Sequence, residues 1–163
     1  MKKILPVILA AMLAVSASAA DYKHSVGMVA GLGIGAQYKT MVMDDFTIIA
    51  ELGYFMNLDG GNNVGYMGGL GNCVLAYQAN ITEGRGIKLD WYVGGQTKLG
   101  VMQGGNAGIF GLGAAGGIEA NMANAPIAFS FDFRPGYALL FNGNATGGHM
   151  FDYSFNLGVR YTF

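Results

Sequence analysis

The sequence predicts an all-β fold: a transmembrane, antiparallel, up-and-down β-barrel of eight strands behind a cleaved N-terminal signal peptide. Three observations carry that prediction. First, the last thirteen residues alternate without interruption. Phe151, Tyr153, Phe155, Leu157, Val159, Tyr161 and Phe163 stand on one side, with Asp152, Ser154, Asn156, Gly158, Arg160 and Thr162 on the other. Strand side chains point to opposite faces in turn, so this is a ribbon with one apolar and one polar face. The apolar face is aromatic at both ends and aliphatic between, which suits a strand crossing two water–lipid interfaces. Second, 52% of the residues are hydrophobic, yet beyond residue 20 no apolar run approaches the ~20 residues of a spanning helix. The periodicity is mostly two. Third, the charges keep to one phase of the strands.

Taken in order, Met1–Ala20 reads as a secretory signal: Lys2 and Lys3, an apolar run from Ile4 to Val15, and the small-residue pattern Ala17-Ser18-Ala19. Cleavage is expected after Ala19 or Ala20, leaving residues 21–163 as one barrel domain. The first alternation sets Val26, Met28, Leu32, Ile34 and Tyr38 against Ser25, Gly27, Gly33, Gly35 and Gln37. The next sets Phe46, Ile48, Leu52 and Tyr54 against Thr47, Glu51 and Gly53, followed by Cys73, Leu75 and Tyr77 against Asn72, Gln78 and Asn80. Ile87, Leu89, Trp91, Val93 and Leu99 then oppose Lys88, Asp90, Tyr92, Gln96 and Lys98. Phe110, Leu112, Ala114, Ile118 and Ala120 oppose Gly111, Gly113, Gly117 and Glu119. Ile127, Phe129, Phe131 and Phe133 precede the terminal strand.

These are seven clear stretches, whereas single-chain bacterial barrels use an even number of strands. Splitting Ser25–Val42 at a tight turn among Gly31, Gly33 and Gly35 restores eight, although the phase runs unbroken through it. Met43–Asp45, Ile81–Gly86 and Asn121–Pro126 are expected as inside turns. Asn57–Val64, Gln103–Ala107 and Asn142–His149 are expected as outside loops.

Without Lys2 and Lys3 the chain holds seven basic and ten acidic residues, a net charge of −3, and shows no basic patch for nucleic acid. Ten charged residues lie within strands, all on the polar phase: Lys39, Glu51, Lys88, Asp90, Lys98, Glu119, Asp132, Arg134, Asp152 and Arg160. A basic residue on the lipid face at the midplane would cost about 2–4 kcal/mol. The ten comprise five acids and five bases, and buried charge persists when paired. They are expected to form a lumenal ion-pair network, with Arg134 and Arg160 as hubs among Glu51, Glu119, Asp132 and Asp152. An eight-stranded barrel is only wide enough for its own side chains, so inward glycines make room and the filled lumen is a poor pore.

Chemistry-bearing motifs are few. Gly111-Leu112-Gly113-Ala114-Ala115-Gly116 matches a dinucleotide pattern, but that mechanism needs a strand–turn–helix unit, and here the alternation continues to Glu119. His24 and His149 fall at opposite ends of the expected topology and cannot share a site. Cys73 stands alone on the apolar phase, so no disulfide framework or cysteine metal cluster is available. Asn80-Ile81-Thr82 and Asn144-Ala145-Thr146 fit a glycosylation pattern, but loop polarity accounts for both. His149 with Ser154 is the one serine–histidine pair near the outer rim and has no orienting acid at evident spacing. No catalytic, cofactor-binding or metal residue is assigned.

The segments Trp91-Tyr92-Val93-Gly94-Gly95, Phe131-Asp132-Phe133-Arg134-Pro135-Gly136-Tyr137 and Gly158-Val159-Arg160-Tyr161-Thr162-Phe163 resemble the small outer-membrane β-barrel proteins of Bacteroidetes, akin to outer-membrane protein X. That resemblance implies an eight-stranded barrel placed in the bacterial outer membrane by the barrel assembly machinery, which reads the terminal aromatic strand, here Tyr161 and Phe163. It brings no catalytic residues. The expected function is a structural or surface role in the Gram-negative envelope, not enzymatic, without cofactors, as a monomer among outer-membrane lipids and lipopolysaccharide. The alternatives are a lipid A acyl hydrolase or transferase, and a soluble small-molecule-binding barrel whose apolar phase would face inward.

Overall fold

Strand alternation becomes a closed wall. The computed structural model describes residues 22–59, 63–84, 86–102, 107–142 and 145–163, with side chains described outside 56–67 and 142–150. Eight strands follow one another: β1 (His24–Ala30), β2 (Gly33–Met43), β3 (Phe46–Asp59), β4 (Asn63–Gly84), β5 (Ile87–Met102), β6 (Ala107–Met122), β7 (Ile127–Asn142) and β8 (Ala145–Thr162). Each pairs antiparallel with its successor, and β8 returns to β1, closing the barrel. No helix occurs among the described residues. At the closing seam His24 N–H donates to Phe163 O at 3.0 Å and Phe163 N–H to His24 O at 2.8 Å. The chain thus ends where its first strand begins. The expected signal segment lies outside the described residues.

The first long alternation is indeed two strands, turning at Gly31–Leu32, with Ala30 directly opposite Ile34. Directly opposed residues share a face of the sheet. Because 30 and 34 have the same parity, the apolar phase crosses this hairpin unchanged, so alternation alone could not reveal the turn. The connections are also shorter than expected. β4 runs through Ile81 to Gly84 with a register shift between Asn80 and Thr82, and β7 and β8 pair as far as Asn142 with Ala145. Hydrophobic alternation stops where an apolar environment stops, but backbone pairing continues beyond it. Between β4 and β5 the chain turns at Gly86, whose φ of 83° suits a residue without a side chain.

The two faces of the wall differ in kind. Outward side chains are apolar and exposed, including Leu52 (73%), Leu99 (63%) and Leu157 (63%). Rings collect towards both rims. Near the termini Phe46 and Tyr77 meet edge-on at 5.7 Å and Tyr77 lies 5.8 Å from Trp91. Towards the other end Tyr54, Tyr137 and Phe151 are exposed, Tyr137 directly opposite Phe151, and midway along β7 and β8 Phe133 packs on Phe155 at 4.9 Å. Inward side chains are polar and buried, among them Gln37, Lys39, Gln96, Glu119, Arg134 and Arg160. One apolar patch also faces inward, formed by Ile49, Val74, Ala76, Tyr92 and Ala115. Pro135 sits inside β7, where the β6 ladder is interrupted between Gly113↔Gly136 and Gly116↔Phe133. Proline has no N–H to give the ladder.

Inward glycines let the strands approach. A Cβ added at Gly94 would collide with the backbone of Leu75 and Ala76, whereas one at Gly84 would meet nothing. Gly94→Ala is therefore expected to cost about 1–3 kcal/mol by overpacking, seen as a lower unfolding temperature of the detergent-solubilised barrel. Gly84→Ala should leave that temperature unchanged.

Candidate functional site

The lumen is where the polar chemistry of this chain is gathered, and it is built in tiers. Nearest the termini, Glu119 of β6 is the focus. Lys39 of β2 donates to its two oxygens at 2.8 and 2.9 Å, and Arg160 of β8 and the Tyr22 hydroxyl also donate to it. Lys39 and Glu119 are fully buried. Lys39 Nζ also donates to Gln78 Oε1 at 2.6 Å and sits 5.7 and 5.9 Å from the ring centres of Tyr92 and Tyr22. Such positions let aromatic quadrupoles attract the ammonium. Asp90 accepts three amide donors, from Gln78 at 3.1 Å, Asn80 at 3.0 Å and Asn121 at 3.1 Å.

Gln37 of β2 joins this tier to the next. Its carbonyl accepts from Arg160, and its amide donates to Glu51. Above it, Arg134 of β7 makes a two-pronged pair with Glu51 of β3 at 2.5 and 2.8 Å. It also donates to Asp132 at 2.7 and 2.8 Å. The planar guanidinium fork suits both contacts. Asp132 further accepts from the Tyr92 hydroxyl at 2.6 Å and Asn156 at 2.8 Å. Nearer the end away from the termini, Lys98 pairs with Asp152 at 2.8 Å.

Nine of the ten strand charges singled out in the sequence thus have described lumenal contacts: Lys39, Glu51, Asp90, Lys98, Glu119, Asp132, Arg134, Asp152 and Arg160. The tenth, Lys88, lies near the terminal end opposite Asn121, half-buried. The arrangement departs from the expected one in two respects. Asp152 is held by Lys98 rather than by an arginine, and Lys39 is a hub alongside Arg134 and Arg160. Alternation gives the face of a residue, whereas its partner depends on the stagger between non-adjacent strands. The inward apolar patch was also missed, although Ile48-Ile49 and Cys73-Val74-Leu75-Ala76, where alternation lapses, mark it.

Other residues are placed as follows. His24 lies at the terminal rim, 3.0 Å from both the Tyr38 hydroxyl and Thr40 Oγ1, and stacks on Tyr38. Cys73 is exposed on the outer face. Gly111–Gly116 lies wholly within β6. The side chain of His149 and the Asn144 sequon lie outside the described residues, as do the tips of the three expected outside loops. Among the described residues no group of three or more His, Cys, Asp or Glu side chains could hold a metal ion.

No protein-family profile matches the chain, and no characterised protein matches it in sequence. Among solved structures it is similar to Neisserial surface protein A, with 14% identity, a TM-score of 0.46, and coverage of 86% of this chain and 93% of that one. The family resemblance drawn from short motifs gains no support from these comparisons.

Glu119 holds two bases that would otherwise repel each other without water. Glu119→Gln is expected to destabilise the barrel by about 3–5 kcal/mol, the cost of stranding buried charge. Asp152→Asn should cost less, because its pair with Lys98 keeps side-chain exposures of 17% and 10%; thermal unfolding of both variants tests the order. Burial pushes the Tyr22 phenol up to about 12, partly offset by the Arg160 guanidinium. An unfolded tyrosine ionises near 10, so the contribution of Tyr22 is complete below that pH. It declines between about 10 and 12 as the unfolded chain loses its proton first. The unfolding temperature measured across this window should fall less steeply in Tyr22→Phe.

Proposed function

We propose that the chain is an integral outer-membrane barrel with a non-enzymatic, structural or surface role in the envelope. The observation that carries this reading is the inversion of the wall: fully buried ion pairs inside and a continuous band of exposed apolar side chains outside. A soluble protein rarely exposes more than a few hundred Å² of contiguous apolar surface. A closed antiparallel sheet is one of two architectures that hydrocarbon tolerates. The soluble binding barrel would require the opposite orientation, with charges outward and an apolar cavity. Ring clusters near both rims suit the two interfaces of a bilayer.

A filled lumen supports a passive role. Arg134 and its carboxylates cross the interior between β3 and β7, Glu119 gathers groups from β2, β6 and β8, and the apolar patch fills the level between. This leaves little path for a solute. Lipids and lipopolysaccharide would be the contacts of the outer face, and a closed wall requires no partner copy. Tyr161 and Phe163 stack at 6.2 Å at the end of the seam strand, where the assembly machinery would read them as it closes β8 on β1.

The direct test is fractionation. The chain should remain with outer membranes through alkaline extraction and migrate differently in gels before and after boiling. Recovery in the soluble fraction with unchanged migration would overturn the membrane reading. Polar replacement of Tyr161 and Phe163 should leave expression and export intact while blocking insertion. A knockout should alter envelope permeability without changing lipid A mass. A lipid A change rescued by the native gene but not by a His149→Ala copy would establish an enzyme instead.

A further inference from the structure

The first hairpin is short and its neighbours are not. It turns at Gly31–Leu32, so β8 pairs with β1 only as far as Leu157 yet continues to Ala145, and β3 pairs with β2 as far as Phe55 yet continues to Asp59. At the closing seam His24 and Phe163 donate to each other's carbonyls. Such pairs recur at every second residue of an antiparallel ladder, and the register of β8 is regular from Phe163 up to Phe151. The backbone N–H and C=O groups of Phe155, Tyr153 and Phe151 are therefore turned towards β1, which has already ended. Gly31 lies against the Phe155 carbonyl and marks the foot of this edge. Among the described residues no strand pairs with β8 there.

Nothing blunts this edge. Sheet edges are normally protected by lysine, proline, a bulge or brevity. From Phe151 to Asn156 β8 has no lysine or proline, and its one charge, Asp152, turns inward to Lys98. Tyr54, Tyr153 and Phe151 are exposed around the gap. In the membrane reading these rings set the edge at the interface away from the termini, where water rather than hydrocarbon meets the free groups. A row of backbone donors and acceptors is matched in full by another backbone. The surrounding side chains narrow the choice. Phe151, Tyr153 and Phe155 are apolar and face outward, whereas Ser154 and Asn156 are polar and face inward. The charges lining the gap balance, Glu51 and Asp152 against Lys98 and Arg134. The matching strand therefore alternates apolar and small polar residues and carries no charge. A second copy does not fit. Pairing β8 with β8 about a two-fold axis would turn the partner barrel over in the bilayer, and a partner's β3 would run on into the space that β1 fills.

We propose that the free edge of β8 from Phe151 to Phe155 is an interaction surface for another protein, which adds an extended, uncharged, alternating segment as an antiparallel strand in line with β1. Main-chain hydrogen bonds supply the affinity of such a contact and alternate side chains its specificity. The inference gives the surface role a partner chemistry, and it rests on the membrane reading for the orientation that excludes a second copy.

The test uses the whole barrel in nonionic detergent, titrated with an octapeptide of alternating threonine and valine while hydrogen exchange of the Phe151, Tyr153 and Phe155 amides is followed. These three should exchange fast in the free barrel and slow by at least about tenfold at saturating peptide, as one retained hydrogen bond requires. The same peptide N-methylated at every residue keeps its side chains but cannot complete a ladder, and it should give no protection. Tyr153→Pro removes one N–H that faces the gap while sparing the ladder to β7. It should abolish protection at Phe151 and Phe155 with heat-dependent gel migration retained, and the methylated control decides by itself should this variant fail to close. Slow exchange in the free barrel, no protection by the peptide, equal protection by its methylated form, or protection that survives Tyr153→Pro would each overturn the proposal. Protection that grows with barrel concentration in the absence of peptide would overturn it in favour of a second copy. Fractionation tests the membrane reading separately, and the β8 amides report an added strand whichever way that falls.

Discussion

An eight-stranded barrel encloses a space no wider than the side chains that point into it, and everything polar in this chain is arranged by that confinement. A charge turned inward has almost no bulk water to solvate it, so its counter-charge must come from another strand. Glu119 meets that demand for Lys39 and Arg160, and Arg134 meets it for Glu51 and Asp132. These contacts join β2, β3, β6, β7 and β8 across the interior, where no backbone ladder reaches. The same confinement explains Gly94 and Gly117, where an added Cβ would strike the next strand. Long side chains and bare backbone are two halves of one packing solution.

The orientation of the residues was largely legible in the sequence, because strand geometry makes facing a matter of parity. All ten charges read within the alternating stretches fell on one phase, and that phase is the lumen. Three features were harder to read, each for a physical reason. The first turn was hidden because the residues paired across it, Ala30 and Ile34, have the same parity. Strand ends were underestimated at Ile81–Gly84 and Asn142–Ala145 because hydrogen-bonded pairing outlasts the apolar environment that creates alternation. Pairing partners were the least legible, since Lys98 with Asp152 and Lys39 with Glu119 join strands that are not neighbours. Local sequence contains facing; the stagger around the whole barrel decides contact.

Tyr92 shows how closely polar and apolar filling are combined. Its ring belongs to the patch with Ile49, Val74, Ala76 and Ala115, its hydroxyl donates to Asp132, and its face lies beneath Lys39. A single amphipathic side chain therefore couples both ionic tiers to the apolar level between them. Tyrosine can serve this way because its body is hydrophobic and its tip is not. Phenylalanine here would keep the packing while leaving one carboxylate oxygen short of a donor.

The unequal reach of the hairpins has a mechanical consequence. β1 is joined to β8 only over His24–Ala30, whereas β7 and β8 are joined from Ile127 to Asn142. Load applied through the N-terminal end would be shared by few hydrogen bonds on either side of β1 and by many between β3 and its successors. The barrel would then give way beside its first strand, while β2 to β8 still form a continuous sheet. The strand that closes the wall is also the one it would lose first under tension.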